Sequence, residues 1–182
     1  MILLLDERQR KELAQYSPYI AIPKVSSQNR RYIPMDYLEG EIIPGDKLFT
    51  MPSATSYEFG ILMSNVHMAW TRAVCGRLKS DYSYSNTIVY NNFPWPETTD
   101  QQRQKIKQTA QAILDARSLY PDSSLADLYD PLTMQPELLK AHTANNKAVM
   151  EAYGFKMKTT EADCVAELMK LYQKLVKTEK TR

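Results

Sequence analysis

The chain changes character near residue 98, and this change limits the folds that are open to it. Before that point, short segments rich in Tyr, Ile and Val are interrupted by prolines, which cannot donate a backbone hydrogen bond inside a sheet. We expect short strands or edge segments at YIAI (19–22), RYI (31–33), KLFTM (47–51) and YSNTIVY (84–90). Beyond residue 98 the pattern is helical. The sequence therefore predicts an α+β protein, with a small mixed strand and helix domain at residues 1–98 and a helical bundle at residues 99–182.

Capping signals mark where helices begin. Thr55 and Glu58 have the spacing of a capping box, and apolar residues then recur at three- and four-residue steps as far as Gly76. This pattern predicts one amphipathic helix inside the strand-rich half. Thr99 and Gln102 repeat the same spacing at the start of the second half.

The rest of the second half carries equally clear stop and start signals. The helix that begins at Thr99 must end before Pro121, and a short turn is expected around residues 125–128. Pro136 suits the first position of another helix, and Gly154 suits the position beyond its end. A last helix is expected to start near Thr160.

Composition is that of an ordinary globular protein. With 182 residues, 43% of them apolar and 24% charged, the chain can bury roughly 70% of its unfolded surface. No apolar run approaches the ~18 residues that span a membrane, and MILLLD (1–6) is too short for a signal peptide. We therefore expect a cytoplasmic protein. Cys75 and Cys164 have no second cysteine or histidine at ligand spacing, which argues against a disulfide framework or a zinc site.

Residues that could form a catalytic centre are few. The five glycines are too scattered for a dinucleotide-binding fingerprint or a phosphate-binding loop, so no cofactor site can be assigned within this chain. His67 and His142 each fall on a predicted helix without a nearby cysteine or serine, which favours a structural role over a catalytic one. No catalytic residue is assigned.

The segment NNFPWP (91–96) resembles the Asn-Pro-Pro-aromatic loop with which amino methyltransferases hold an extruded base. Its order differs, because no two prolines are adjacent and no glycine-rich cofactor segment precedes it. We therefore interpret it as a structural connection, in which Phe93 and Trp95 hold the two halves of the chain together.

Charge is unevenly distributed although the net charge is only +2. Residues 13–35 and residues 59–80 contain no acidic side chain. The bases in these two stretches are Lys24, Arg30, Arg31, Arg72, Arg77 and Lys79. The two stretches could form one phosphate-facing surface, although chance placement produces such gaps often.

Lys79 and Asp81 raise a sharper possibility. If residues 78–84 are extended, side chains two positions apart share one face, which puts a donor beside an acceptor. Lysine can donate to guanine and aspartate can accept from cytosine in a major groove. The alternative is a surface salt bridge worth at most about 1 kcal/mol.

Three segments in order resemble the C-terminal part of MmeI-like enzymes, single-chain restriction-modification proteins that methylate adenine in DNA. They are SSQNRRYIP (26–34), HMAWTRAVCGRLKSDYSYSNTIVYNNFPWP (67–96) and LADLYDPLTMQPELLKAH (125–142). The resemblance implies a DNA target-recognition domain followed by a helical C-terminal domain. The nuclease and methyltransferase domains that precede them in the family, with the S-adenosylmethionine site, have no counterpart here. A role in double-stranded DNA recognition is therefore implied, and catalysis by this chain alone is not.

The resemblance also assigns individual residues. Lys79 and Asp81 occupy positions that vary within the family together with the base pair that is read, and this pair suits G·C. Ser27, Asn29, Arg30 and Arg31 are implied to face DNA, and Arg77 is assigned to phosphate. Two alternatives stay open: a protein-interaction or regulatory module whose basic stretches are incidental, and a free-standing enzyme of unknown type.

Overall fold

The computed structural model describes residues 18–38 and 45–179, so MILLLD lies outside the described part. Six strands and six α-helices follow one another in these ranges, together with one π-helix at Asn86–Tyr90. The strands are β1 (Tyr19–Pro23), β2 (Val25–Ser26), β3 (Asp36–Leu38), β4 (Leu48–Pro52), β5 (Gly76–Leu78) and β6 (Asp81–Ser83). The helices are α1 (Ser56–Leu62), α2 (Asn65–Val74), α3 (Asp100–Ser118), α4 (Leu125–Leu128), α5 (Pro136–Ala152) and α6 (Glu161–Glu179). The predicted α+β class is confirmed.

Two small antiparallel sheets organise the first half. In the first, β1 lies between β3 and β4, with Ile20 opposite Tyr37 on one side and Met51 on the other. In the second, β6 lies between β2 and β5, with Tyr82 opposite both Ser26 and Arg77. The second sheet therefore joins the chain after β1 to the hairpin that follows α2.

One hydrophobic core runs through both halves of the chain. Its buried side chains include Trp70, Phe93, Ile106, Val149 and Leu168. Helix α1 packs closely on α3 at Gly60, where an added Cβ would lie only 2.8 Å from Cγ2 of Ile106. No helix in the described ranges is long and apolar enough to cross a membrane.

The single helix predicted from Thr55 to Gly76 is in fact two helices. Thr55 forms the expected capping box with Glu58, but α1 ends at Leu62 and α2 begins at Asn65. The break is at Ser64, whose hydroxyl accepts from the His67 amide at 3.2 Å and donates to the Ile61 carbonyl at 2.7 Å. Ser64 is thus the N-cap of a new helix within an uninterrupted apolar pattern.

Two predicted strands are wrong. Residues 31–33 form a bend, and residues 86–90 form the π-helix, which is capped by Ser85 through the Ile88 amide. Tertiary contacts replace the sheet in both places. Tyr32 packs on His142 of α5, and the Val89 carbonyl accepts from the Trp70 indole at 2.9 Å.

The proline-aromatic segment (residues 91–96) connects the two halves as predicted. Phe93 lies against Trp70 of the first half and Tyr153 of the second, with ring centroids 6.3 and 6.4 Å away. The Tyr153 hydroxyl donates to the Pro94 carbonyl at 2.8 Å. Trp95 completes the contact at 5.6 Å from the Phe93 ring.

Candidate nucleic-acid interface

The β5–β6 hairpin presents Lys79 at its tip. Lys79 and Ser80 form a two-residue turn, with Leu78 opposite Asp81, and Lys79 adopts a positive φ of 56°. Positive φ at this position is typical of tight hairpin turns, where the backbone must match the strand twist. The prediction of a continuous extended segment is therefore wrong here. Lys79 lies in the turn and Asp81 is the first residue after it, and their pairing on a base pair stays a prediction.

A second segment, the basic loop (residues 27–31), lies beside this hairpin. It follows β2, which pairs with β6, so the chain leaves the sheet next to Asp81. The backbone amide of Gln28 donates to Oδ1 of Asp81 at 3.4 Å. Within the loop, the Asn29 amide donates to Oγ of Ser27 at 3.3 Å and the Arg30 amide donates to the Ser27 carbonyl at 3.2 Å. The structure thus brings the predicted residues of two distant segments together.

The three arginines predicted to face DNA differ in their surroundings. Arg77 lies over the Tyr82 ring at 4.1 Å and donates to the Ser80 carbonyl at 3.2 Å. Arg30 donates to the Ala126 carbonyl of α4 at 3.4 Å. Arg31 is exposed. A guanidinium has five N–H donors, so Arg77 and Arg30 keep donors for an anion after making these contacts.

Two side chains that the sequence did not assign also hold the basic loop. Arg72 of α2 donates to the Arg31 carbonyl at 3.3 Å and pairs with Glu161 of α6 at 2.9 Å. Asn146 of α5 donates to the Tyr32 hydroxyl at 2.8 Å. Arg72 stands in an acid-free stretch of sequence, but nothing local indicates its partners, and Asn146 has no sequence signal at all.

The electrostatic environment of Tyr32 shows that positive charge surrounds the end of this loop. Burial raises the pKa of the Tyr32 phenol, while the hydrogen bond from Asn146 and the positive charges of Arg31 and Arg72 act to lower it. Both guanidiniums are therefore close enough to the phenol to interact with it.

Both histidines and Cys164 are buried in the core. His67 and His142 are fully buried, and desolvation lowers the pKa of each to about 3, so both imidazoles are neutral at physiological pH. Burial raises the pKa of the Cys164 thiol to about 11. In residues 18–38 and 45–179, no group of three or more His, Cys, Asp or Glu side chains could hold a metal ion.

Comparison with known proteins assigns both halves of the chain. Residues 5–97 match the family described as the MmeI target recognition domain, and residues 98–179 match the MmeI C-terminal domain. DNA methyltransferase A of Bacillus subtilis (strain 168) is 40% identical over 168 residues, which are 92% of this chain and 19% of that protein. A solved structure of the type IIL restriction-modification enzyme MmeI in complex with DNA is 46% identical, with a TM-score of 0.85.

The match to the MmeI structure covers 89% of this chain and 22% of that one. The chain thus spans about a fifth of the length of both relatives. Family models cover residues 5–179 of the sequence. The chain therefore belongs to the MmeI family and comprises its target recognition and C-terminal domains.

Proposed function

We propose that this chain is a sequence-specific recognition module for double-stranded DNA and that it acts within a longer restriction-modification enzyme. The main support for the proposal is the hydrogen bond from the Gln28 backbone amide to Asp81, because it joins the basic loop to the hairpin. Lys79 and Arg31 are exposed there. One relative is a DNA methyltransferase, and another is solved in complex with DNA.

On this surface, different side chains have different tasks. Lys79 and Asp81 read a base pair in the major groove, since a lysine can donate to guanine while an aspartate accepts from cytosine. Arg30, Arg31 and Arg77 contact phosphates and set the register of the protein on the duplex. Ser27 and Asn29 face DNA from the basic loop, where each offers both a donor and an acceptor.

Chemistry belongs to other domains of the same enzyme in this proposal. A methyltransferase domain binds S-adenosylmethionine and methylates an adenine, and a nuclease domain precedes it. In this chain, both histidines and Cys164 are buried and uncharged. The module fixes which adenine is presented.

Salt dependence tests the DNA contact. Neutralising Z phosphates gives a slope of about −0.9Z when log K is plotted against log salt concentration. We expect micromolar or weaker affinity for duplex DNA at physiological salt, and a slope that becomes shallower by about 1.8 when Arg31→Ala and Arg77→Ala remove two phosphate contacts. Fluorescence anisotropy with a labelled duplex at several salt concentrations measures both values.

A control removes the same charge elsewhere. Arg103→Ala with Lys105→Ala takes two positive charges from α3, where Arg103 lies over Tyr57 and Lys105 pairs with Glu151. This double variant should keep the parent slope. Salt-independent binding by the parent, or equal slopes for the two double variants, would contradict a phosphate-facing surface at the hairpin and basic loop, and would favour a protein-interaction module.

A further inference from the structure

The residue that follows the basic loop is inserted among the helices of the second half. Tyr32 is 2% exposed, and its ring stacks on His142 of α5 with centroids 4.1 Å apart and an interplanar angle of 18°. Its hydroxyl accepts from Nδ2 of Asn146 at 2.8 Å. The end of the loop is thus fixed by α5 and not by the sheet from which the loop emerges.

The side-chain carbonyl of Asn146 makes a hydrogen bond to the start of α2. Its Oδ1 accepts from the Asn65 backbone amide at 2.8 Å. Asn65 is the first residue of α2, where backbone N–H groups have no partner within the helix. This side chain of α5 therefore connects α5 both to the start of α2 and to Tyr32.

Two guanidiniums hold the same loop from either side. Arg72 of α2 donates to the Arg31 carbonyl and is itself paired with Glu161 of α6. Arg30 donates to the Ala126 carbonyl of α4. The basic loop and Tyr32 are consequently linked directly to α2, α4 and α5, and through Arg72 and Glu161 to α6.

We propose that Asn146 is a positioning residue for base recognition and that the helical half thereby helps to set sequence specificity. This inference rests on the proposed function. Groups that read a ligand must be held within about 0.5 Å of their working geometry by supporting hydrogen bonds. The basic loop has a short strand at one end and Tyr32 at the other. Loss of the Asn146 bridge loosens the Tyr32 end, where the His142 stack and the Arg72 contact remain, while the Asp81 contact still holds the hairpin side.

Three variants separate positioning from simple stabilisation. Asn146→Ala removes both hydrogen bonds. Asn146→Asp is the conservative rescue, because one carboxylate oxygen can accept from the Asn65 amide and the other from the Tyr32 hydroxyl acting as donor. Thr143→Ala is the matched control, since Thr143 lies one turn earlier on α5 and its hydroxyl donates to Leu139 of the same helix at 2.8 Å.

The first measurement is amide hydrogen exchange in the free chain, followed by NMR at residues 28–31. We expect Asn146→Ala to speed exchange in this loop by about tenfold, and Asn146→Asp and Thr143→Ala to leave it near the parent rate. Unchanged exchange in a folded Asn146→Ala variant would overturn the positioning role. If that variant does not fold, Tyr32→Phe removes the hydroxyl alone and carries the same expectation.

The second measurement is discrimination between duplexes. The duplex that the parent selects from a randomised pool is compared with versions that each carry one changed base pair. Asn146→Ala should lose about tenfold in discrimination at the positions that Ser27 and Asn29 variants also affect, and should keep discrimination at positions that depend on Lys79 and Asp81. Asn146→Asp should restore the parent pattern. An even loss at every position would show that Asn146 only stabilises the fold.

The two measurements distinguish failure of this inference from failure of the proposed function. If the parent chain selects no sequence, the proposed sequence-specific DNA recognition is wrong, and so is the role of Asn146 in specificity. In contrast, a parent that selects a sequence, combined with an Asn146→Ala variant whose loop and discrimination are unchanged, overturns only the role of Asn146.

Discussion

We expect the free energy of unfolding to fall by about 3 kcal/mol when the pH is lowered from 6.5 to 5, shared equally between the two histidines. Burial lowers the pKa of His67 to about 3, and burial together with repulsion by Arg117 lowers that of His142 to about 3. In the unfolded chain both imidazoles titrate near 6.5. The unfolded state therefore binds more protons, and the stabilisation that is complete above pH 6.5 is lost as the pH falls toward 3.

Urea unfolding at half-unit pH steps measures this change, and imidazole NMR signals identify its source. His67 and His142 are the only histidines in the sequence, and ordinary Asp and Glu side chains titrate below this window. The two signals should stay in their neutral positions down to pH 5. Constant stability across the window, or an imidazole midpoint near 6.5 in the folded protein, would contradict the buried environment of these side chains.

Reversal of the hairpin pair should reverse its base preference. Lys79→Glu with Asp81→Arg exchanges the acceptor and donor, so selection should change from G·C to C·G at one position of the site, with about 1–3 kcal/mol of discrimination in each direction. Glutamate tolerates the positive φ at position 79 no worse than lysine does. Binding to a set of duplexes that differ only at that position measures the preference.

Asp81 also accepts from the Gln28 amide, so its replacement has a second effect that needs a control. Asp81→Asn keeps an oxygen for the Gln28 amide but adds a donor that cytosine cannot satisfy. This variant should weaken discrimination at the same position and leave the others unchanged. A double variant that keeps its original preference would show that Lys79 and Asp81 do not read this base pair.

Local signals predicted much of the helical fold. The capping boxes at Thr55 and Thr99 are both formed, Pro136 occupies the first position of α5, and Gly154 adopts a positive φ of 73° beyond its end. Each of these features depends on residues within a few positions of one another, so each can be read from sequence. The same holds for β1 and β4, whose apolar runs lie between turn-forming residues.

Errors occurred where distant contacts determined the local structure. The apolar and β-branched run at residues 84–90 has strand propensity, but the indole of Trp70, nineteen positions away, bonds the Val89 carbonyl of a π-helix. Tyr32, in the predicted strand at residues 31–33, packs on His142 of α5 rather than in a sheet. The turn at Lys79 was missed because lysine is not a usual turn residue with positive φ.

In the candidate site, the surface residues were predicted from the sequence, but the residues that support them were not. The family resemblance implied that Ser27, Asn29 and Asp81 all face DNA, and the structure brings their segments into contact. The supporting contacts could not be predicted because the partners are remote in sequence. Arg30 and Ala126 are 96 positions apart, and Tyr32 and Asn146 are 114 positions apart. No periodicity or motif encodes such pairs.

Selection from a randomised duplex pool tests the central claim most directly. The 182-residue chain is mixed with the pool at low salt, bound duplexes are recovered through several rounds, and their sequences are compared with the starting pool. We expect enrichment of one asymmetric site that contains a G·C pair whose selection weakens with Asp81→Asn. Binding that is strong but leaves the pool unchanged, with the protein folded throughout, would contradict sequence-specific recognition by this chain.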